Sequence, residues 1–349
     1  MSIASMFLSI SLVVAITFFT CFLGCLIAKK FNLVDSPDGF RKKHTGEIPL
    51  AGGLSIYLSI VLFAFFLSSE ISIFPSEFLT LFFVSILILI LGILDDIKPL
   101  PISIRLIVQI IASWMVILLT DTYITDLGDL FGLGNIYLGK LGIPITIFMV
   151  VGVCNAFNML DGMDGLVSLV SFTVIATLSI VLFINTSFFE IPLFISLSLI
   201  VFLLFNLGLM GKRWKMFLGD GGAMWLGFLL AWTLVIFSQG EAAIIPPVSA
   251  IWFIFLPLMD AFSTFFTRFT AGKAIFSGDR THIHHLLLDR GLDEIKVLVI
   301  FFIVSFISCL FALLSIFFSI EDYYLFWGFV TLWIFYSLLI KYPYSKKVN

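Results

Sequence analysis

Apolar runs of about twenty residues recur along this chain from one end to the other, and few charged residues interrupt them. The hydrocarbon core of a bilayer needs about 20 apolar residues per helix, so repeated runs of this length indicate a protein that crosses the membrane many times. The composition agrees, because 61% of the 349 residues are hydrophobic and only 12% are charged. Soluble domains carry about 25% charged residues. We therefore predict an all-α polytopic membrane protein.

Eleven stretches satisfy this length rule. They cover approximately residues 3–27, 51–69, 76–94, 102–119, 143–160, 165–185, 190–210, 222–239, 244–268, 296–320 and 323–341. The first stretch lacks a positive n-region and is longer than the core of a signal peptide, which predicts a retained span. No linker or low-complexity tract divides the chain, so we predict a single integral-membrane domain over residues 1–349.

The basic residues predict the orientation of these spans. With the first loop in the cytoplasm, alternation places 18 of the 19 Lys and Arg residues on one side and Lys140 alone on the other. Cytoplasmic loops carry an excess of positive charge, so the N-terminus is predicted to be periplasmic and the C-terminus cytoplasmic. The polar clusters described next all fall on the cytoplasmic face, where we predict the active site.

The junction of the fifth and sixth spans carries four polar side chains at every third residue, namely Asn155, Asn158, Asp161 and Asp164. A helix would place neighbouring members on adjacent faces, where they could converge on one ligand. Charged groups at the edge of hydrocarbon are costly and are seldom retained without a partner. The alternative is an ordinary loop between two spans, in which Asn, Asp and Gly are common.

Two adjacent carboxylates, Asp95 and Asp96, close the third span, and Arg105 opens the fourth. Adjacent carboxylates repel each other unless a cation or a proton intervenes. Mg²⁺ suits this position because it binds one or two carboxylates together with water and substrate phosphates, and a carboxylate here could also act as a general base. The alternative, solvated charges at a helix C-terminus, is disfavoured by the helix dipole.

Glycines mark two further clusters on the same face. Gly52 and Gly53 open the second span beside a basic run, and the N–H groups at a helix N-terminus can bind an anion; the alternative is that the basic run only sets the topology or contacts anionic lipid. Asp220 lies between glycines at the start of the eighth span. It is either an N-cap or a metal ligand.

Three of the four histidines lie directly after Arg280, namely His282, His284 and His285. Three histidines could bind Zn²⁺, but the spacing is tight for one tetrahedral site, and the cluster is better suited to hydrogen bonds with an anion. Asp260 is a carboxylate within the apolar ninth span. It is expected either to pair with Arg268 or to belong to the site.

Taken together, these clusters offer carboxylates for Mg²⁺, basic groups for phosphates and a candidate base at the depth of a lipid headgroup. They fit phosphoryl transfer from a soluble donor to a membrane-embedded acceptor, in which catalysis is mostly positioning and charge neutralisation. A transporter would usually place its polar residues near the middle of the membrane. No basic patch suggests nucleic acid, and the four cysteines are interpreted as small hydrophobic residues.

Five motifs in this order resemble those of the polyprenyl-phosphate N-acetylhexosamine-1-phosphate transferases. They are Arg41-Lys-Lys-His with Ile48-Pro-Leu-Ala-Gly-Gly, Leu94-Asp-Asp, Asn155 to Leu166, Phe217-Leu-Gly-Asp-Gly-Gly and His282-Ile-His-His. Within the family, the chain is most similar to the enzymes that use N-acetylglucosamine. The branch that transfers phospho-N-acetylmuramoyl-pentapeptide typically has Thr-Pro-Thr-Met-Gly-Gly at the first motif and three consecutive histidines at the last.

The resemblance implies an eleven-span enzyme of the bacterial inner membrane. In the implied reaction, undecaprenyl phosphate attacks the β-phosphorus of UDP-N-acetylglucosamine, which releases UMP and begins a glycan of the O-antigen or enterobacterial common antigen type. Another UDP-N-acetylhexosamine is the alternative donor. The implied cofactor is Mg²⁺, with Mn²⁺ as a substitute, and a homodimer is left open.

The resemblance also implies a role for each matched residue. The metal would be held by Asp220, Asn158 and Asp161. The catalytic residues would be Asp95, Asp96 and His282. The substrates would be bound by Lys43, Arg105, Gly162, Asp164, Phe217, Arg280, His284 and His285. Accordingly, Asp220→Asn or Asp95→Asn is predicted to abolish transfer while folding survives.

Overall fold

Helices dominate the computed structural model, which describes residues 3–36, 46–66, 76–185, 190–240, 243–270, 272 and 282–341. The α-helices in these ranges are α1 Ile3–Lys30, α2 Gly52–Phe66, α3 Ser76–Ile97, α4 Ile102–Thr120, α5 Gly142–Leu160, α6 Leu166–Asn185, α7 Glu190–Asn206, α8 Gly219–Ser238, α9 Pro247–Phe253, α10 Phe255–Thr270, α11 Ile283–Asp289, α12 Glu294–Phe317 and α13 Asp322–Phe335. Two-residue strands, β1 Val34–Asp35 and β2 Ile48–Pro49, pair antiparallel. Short 3₁₀ turns cover Gly139–Leu141 and Lys212–Trp214, and a π-helical turn covers Tyr336–Lys341.

The prediction of an all-α polytopic membrane protein is confirmed. Within the described ranges, seven helices are long and apolar enough to cross a membrane, or eight if the bent pair α9 and α10 forms one span. The predicted second and seventh spans correspond to shorter apolar helices, α2 and α7. All four cysteines are buried free thiols, in agreement with their interpretation as small hydrophobic residues.

The predicted ninth span is not one continuous helix. It breaks at Ile254, and α9 and α10 meet there at a bend of 85°. Pro257 explains the position of the break, because a proline cannot donate the hydrogen bond that the carbonyl four residues earlier would accept. That carbonyl belongs to Phe253, and it is approached instead by the Cys309 thiol of α12 at 3.5 Å. The span predicted over residues 244–268 therefore corresponds to two helices separated by a break.

Helix α8 lies at the centre of the bundle. Every residue of α8 except Asp220 is buried, and the helix packs most extensively against α3 and α5, with α2 also in contact. A helix that is apolar on all sides can be covered completely by its neighbours. The single partly exposed residue of this helix lies in its first turn, so the carboxylate of Asp220 is directed to one end of the bundle.

Glycines allow three backbones to meet at the beginning of α8. A Cβ placed on Gly92 of α3 would lie 2.2 Å from the Gly221 Cα, and one placed on Gly53 of α2 would lie 2.3 Å from the Gly222 Cα. Real Cβ atoms cannot approach a backbone atom so closely. Small residues at such crossings let membrane helices pack backbone to backbone, and here they hold three sequence motifs together.

We expect Gly92→Ala to lower the thermal stability of the detergent-solubilised protein, by about 1–3 kcal/mol or more. The added methyl group would force α3 away from the backbone of α8, which has no flexible side chain at the contact. Thermal unfolding would measure the loss. Gly328→Ala is the matched control, because the nearest atom to its added Cβ would be 3.6 Å away; equal losses in the two variants would contradict this account.

Candidate active site

The adjacent carboxylates at the end of α3 have different partners. Asp95 is buried, and its Oδ2 lies 2.8 Å from the Nη1 of Arg105 while its Oδ1 accepts the Leu100 N–H. Arg105 also keeps a buried Nε without a hydrogen-bond partner. The alternative of solvated charges at a helix end is therefore wrong for Asp95, which forms an ion pair with one of the predicted phosphate-binding residues.

Asp96 caps the central helix from outside it. Its Oδ1 accepts the Asp220 N–H at 3.0 Å, and its Oδ2 lies 3.4 Å from the Gly221 N. A carboxylate at a helix N-terminus satisfies otherwise unpaired N–H groups and interacts favourably with the helix dipole. The N-cap residue of α8 itself is Leu218, which makes no side-chain cap. Asp220 is therefore not the N-cap, and the alternative proposed for it from the sequence is wrong.

The glycine pair at the start of α2 has a structural role. The Gly52 N–H donates to the Phe217 carbonyl at 2.9 Å, and the Gly53 N–H donates to the Leu218 carbonyl at 3.0 Å. These two N–H groups are thus used within the protein, and the hypothesis that they bind an anion is wrong. They attach the first loop to the segment that leads into Asp220.

The four polar residues of the α5–α6 junction do not share one helix. Asn155 and Asn158 lie on the last turns of α5, Asp161 ends that helix, and Asp164 lies in the turn before α6. Asn155 points to another helix, since its Nδ2 donates to the Gln109 Oε1 of α4 at 2.7 Å. The structure therefore assigns Asn155 to packing and brings Asp161 and Asp164 near Asp220 at the start of α8.

Like charge is concentrated around Asp161. Burial raises the pKa of this carboxyl group well above its usual range, and three neighbouring carboxylates, those of Asp220, Asp96 and Asp164, raise it further. Crowded carboxylates of this kind are stabilised by a proton or by a metal ion. The site therefore offers negative charge that a bound cation would neutralise.

The residues predicted to bind metal fit Mg²⁺ in kind. No three His, Cys, Asp or Glu side chains within the described ranges are arranged to hold a metal ion by themselves. Mg²⁺ does not require three, because water and substrate phosphates complete its octahedral shell. Asp161 and Asp220 supply two carboxylates, and the buried Oδ1 of Asn158 accepts no hydrogen bond from the protein.

Asp164 and Phe217 meet through a lysine that the sequence analysis did not select as a site residue. The Lys215 ammonium forms an ion pair with Asp164, and it lies 5.5 Å from the centre of the Phe217 ring. Asn206 supports this arrangement, since its side chain accepts the Gly165 N–H and donates to the Met216 carbonyl. Asn206 is the last residue of the apolar helix α7. A single Asn at the end of an apolar segment was the sequence signal that could have identified Asn206 as part of this arrangement.

The histidine segment lies against the α5–α6 junction. A Cβ placed on Gly162 would lie 2.2 Å from the Nε2 of His284, so only glycine leaves room for this ring. The His284 ring lies 4.2 Å from that of His285 and 6.0 Å from that of His282, measured between ring centroids. The structure thus brings the three predicted histidines together beside Gly162. Lys43 and Arg280, also predicted to bind substrate, lie outside the described residues.

We expect Gly162→Ala to reduce catalytic turnover by about tenfold or more, because the methyl group would displace the His284 ring. Gly152→Ala is the matched control on α5, where an added Cβ would meet no atom within 4 Å. The turnover of both variants would be measured in the assay described below, with thermal unfolding to confirm that they are folded. Wild-type turnover in Gly162→Ala would show that this contact is dispensable.

The part of the sequence that carries these carboxylates and cations matches a known protein family. A model of glycosyl transferase family 4 matches residues 78–238, which run from the first turn of α3 to the end of α8 and contain most of the site. The chain belongs to this family of enzymes.

Named relatives extend the match beyond that region. A protein of Escherichia coli K12 is 37% identical over 276 residues, which are 78% of this chain and 74% of that protein. One of Yersinia pestis is 36% identical over 80% of this chain and 76% of its own length. One of Pasteurella multocida is 32% identical over 93% and 92%, respectively. Each is named undecaprenyl-phosphate alpha-N-acetylglucosaminyl 1-phosphate transferase.

Proposed function

We propose that this chain transfers N-acetylglucosamine-1-phosphate from UDP-N-acetylglucosamine to undecaprenyl phosphate, releasing UMP and forming undecaprenyl-diphospho-N-acetylglucosamine. One observation carries the proposal: carboxylates from α3, from the α5–α6 junction and from α8 meet at one end of a buried helix, beside Arg105 and Lys215. The relatives' shared name supports the choice of acceptor and sugar. The proposed pathway is glycan synthesis of the O-antigen or enterobacterial common antigen type in the bacterial inner membrane.

The proposed chemistry is displacement at the β-phosphorus of the donor. Mg²⁺, or Mn²⁺ in its place, would be held by Asp220, Asp161 and Asn158 and would neutralise charge on the diphosphate. Arg105, paired with Asp95, would contact phosphate oxygens, and a planar guanidinium suits such contacts. Holding reactants in line and neutralising their charge accounts for most of the catalysis in phosphoryl transfer.

The proposed nucleoside site is formed by the Asp164, Lys215 and Phe217 group together with Gly162. An aromatic face and a fixed ion pair can bind a planar base by stacking and hydrogen bonding. The His282, His284 and His285 segment, with Arg280, would contact the sugar and the diphosphate, and Lys43 would lie near the nucleotide.

We also propose that the chain forms one membrane domain of eleven spans, with a periplasmic N-terminus and a cytoplasmic C-terminus. The location of the site supports this orientation, because a nucleotide donor is available on the cytoplasmic side. Attachment of a bulky membrane-impermeant reagent to single cysteines, introduced in place of Lys140 and Lys212, would test it. Labelling from outside is expected at position 140 and not at position 212.

The decisive test is UMP release by the purified protein given undecaprenyl phosphate, Mg²⁺ and UDP-N-acetylglucosamine, with other UDP-sugars in parallel. Release that requires both the lipid and the metal would establish the reaction and the donor. Release only with another UDP-N-acetylhexosamine would keep the mechanism and change the pathway. A folded protein that releases UMP from none of the donors would overturn the proposal.

A further inference from the structure

A buried carboxylate inside α10 is bound to the histidine segment. Asp260 is 4% exposed, and its Oδ2 lies 2.6 Å from the Nδ1 of His282. Its Oδ1 accepts the Ile283 N–H at 3.1 Å, and the Tyr336 hydroxyl makes a longer contact of 3.5 Å with the same oxygen. The sequence left two alternatives for Asp260, pairing with Arg268 or membership of the site. The contacts with His282 and Ile283 support membership of the site.

The two shorter contacts use different oxygens of the Asp260 carboxylate, one for the His282 ring and one for the Ile283 backbone. A buried carboxylate is costly unless its oxygens accept hydrogen bonds, and both oxygens of Asp260 do so. One contact holds the His282 imidazole, and the other holds the first N–H of α11, the helix that carries His284 and His285. Asp260 therefore holds both the His282 ring and the start of α11.

The contact with Nδ1 also determines where the His282 proton lies. An ionised carboxylate is only an acceptor, so Nδ1 carries the hydrogen when Asp260 is ionised. Nε2 is then the ring nitrogen that remains for the substrate, whether the imidazole is neutral or charged. A second interaction that selects the tautomer of an active histidine is a general device in enzymes and metal sites.

We propose that Asp260 is a positioning residue, which fixes the orientation and the tautomer of His282 so that Nε2 faces the donor diphosphate. This inference rests on the function proposed above, in which His282 contacts the substrate. Asp260 itself touches no substrate atom in this scheme. Its contribution is to keep one nitrogen of one ring in place during turnover.

Asp260→Asn separates this role from simple packing. Asn has nearly the same shape as Asp but only one acceptor oxygen, so it cannot accept from both Ile283 N and Nδ1–H. If its carbonyl keeps the Ile283 contact, its amide must donate to Nδ1, which moves the His282 proton to Nε2. We expect kcat to fall by about 100-fold, while KM for UDP-N-acetylglucosamine changes by no more than about threefold.

The tautomer can be measured without turnover. The chain has only four histidines, so ¹⁵N-histidine NMR of the full-length protein in detergent gives few signals, and His282→Gln identifies that of His282. We expect a proton on Nδ1 in the wild-type protein and on Nε2 alone in Asp260→Asn. Protonation of His282 only on Nε2 in the wild-type protein would overturn the proposal even if Asp260→Asn failed to fold.

Two controls complete the test. Ser263 is on α10, as Asp260 is, and Ser263→Ala removes its buried hydrogen bond with Ser337. This variant is expected to lower stability without changing kcat or the His282 signal. Asp260→Ala, His282→Ala and the double variant form a cycle, in which the double variant should be no slower than His282→Ala. Additive losses would overturn the proposal. Absence of UMP release from the wild-type protein, with the predicted NMR signals present, would refute the proposed function but not the geometry.

Discussion

Asp220→Asn should reduce UMP release from UDP-N-acetylglucosamine by about a thousandfold while the protein remains folded. Asp220 is the one residue of α8 that is not buried, and it faces the carboxylates of Asp96 and Asp161. The substitution keeps the shape of the side chain and removes the charge that a divalent cation requires. The rate would be measured with purified protein over a range of Mg²⁺ concentrations.

Asp129→Asn provides the matched control for this variant. Asp129 lies in the segment before α5, at the opposite end of that helix from Asp161, so the same change in charge there should leave turnover near the wild-type level. A thermal unfolding curve that matches the wild-type protein would show that Asp220→Asn is folded. Wild-type turnover in Asp220→Asn would remove the acidic end of α8 from the proposed mechanism.

Asp95→Asn should have two effects, a loss of turnover of about 100-fold or more and a loss of stability of about 3 kcal/mol. The ion pair with Arg105 explains both, because the substitution leaves the guanidinium without its counter-charge and no longer fixed in position. The second effect adds a cost in stability to the prediction based on sequence, which states only that folding survives the change. UMP release and thermal unfolding in the same detergent would measure the two effects separately.

The double variant Asp95→Asn/Arg105→Gln distinguishes the two effects. Removing both charges should recover most of the lost stability, because neither partner of the ion pair is left as an unpaired buried charge. Turnover should stay low, because the proposed phosphate contact is absent. An Asp95→Asn variant as stable as the wild-type protein would mean that the ion pair contributes nothing to the fold.

The sequence predicted the helices well where apolar length alone determines them. The third and fourth predicted spans, 76–94 and 102–119, correspond to Ser76–Ile97 and Ile102–Thr120. The break at Ile254 was missed although its cause, Pro257, is visible in the sequence. Segment length and mean hydropathy do not register the loss of the single backbone hydrogen bond that a proline removes.

For the site, the sequence indicated which residues lie close together but not which partner each side chain contacts. Asp95 and Asp96 are adjacent in the chain, yet one pairs with a guanidinium and the other caps α8. This difference depends on where α4 and α8 pack against α3, which no local pattern encodes. Asp260 and His282 are 22 residues apart, and their contact likewise exists only in the folded bundle.

The complete burial of α8 has a consequence for how the protein is made. Among the seven long apolar helices of the described ranges, α8 has the lowest mean hydropathy, 1.7, and yet is the most buried. Lipid would accept this segment least readily of the seven. Its main partners, α3 and α5, come earlier in the chain and are therefore synthesised first. When α8 is synthesised, the helices that will cover it, α3 and α5, have therefore already been made.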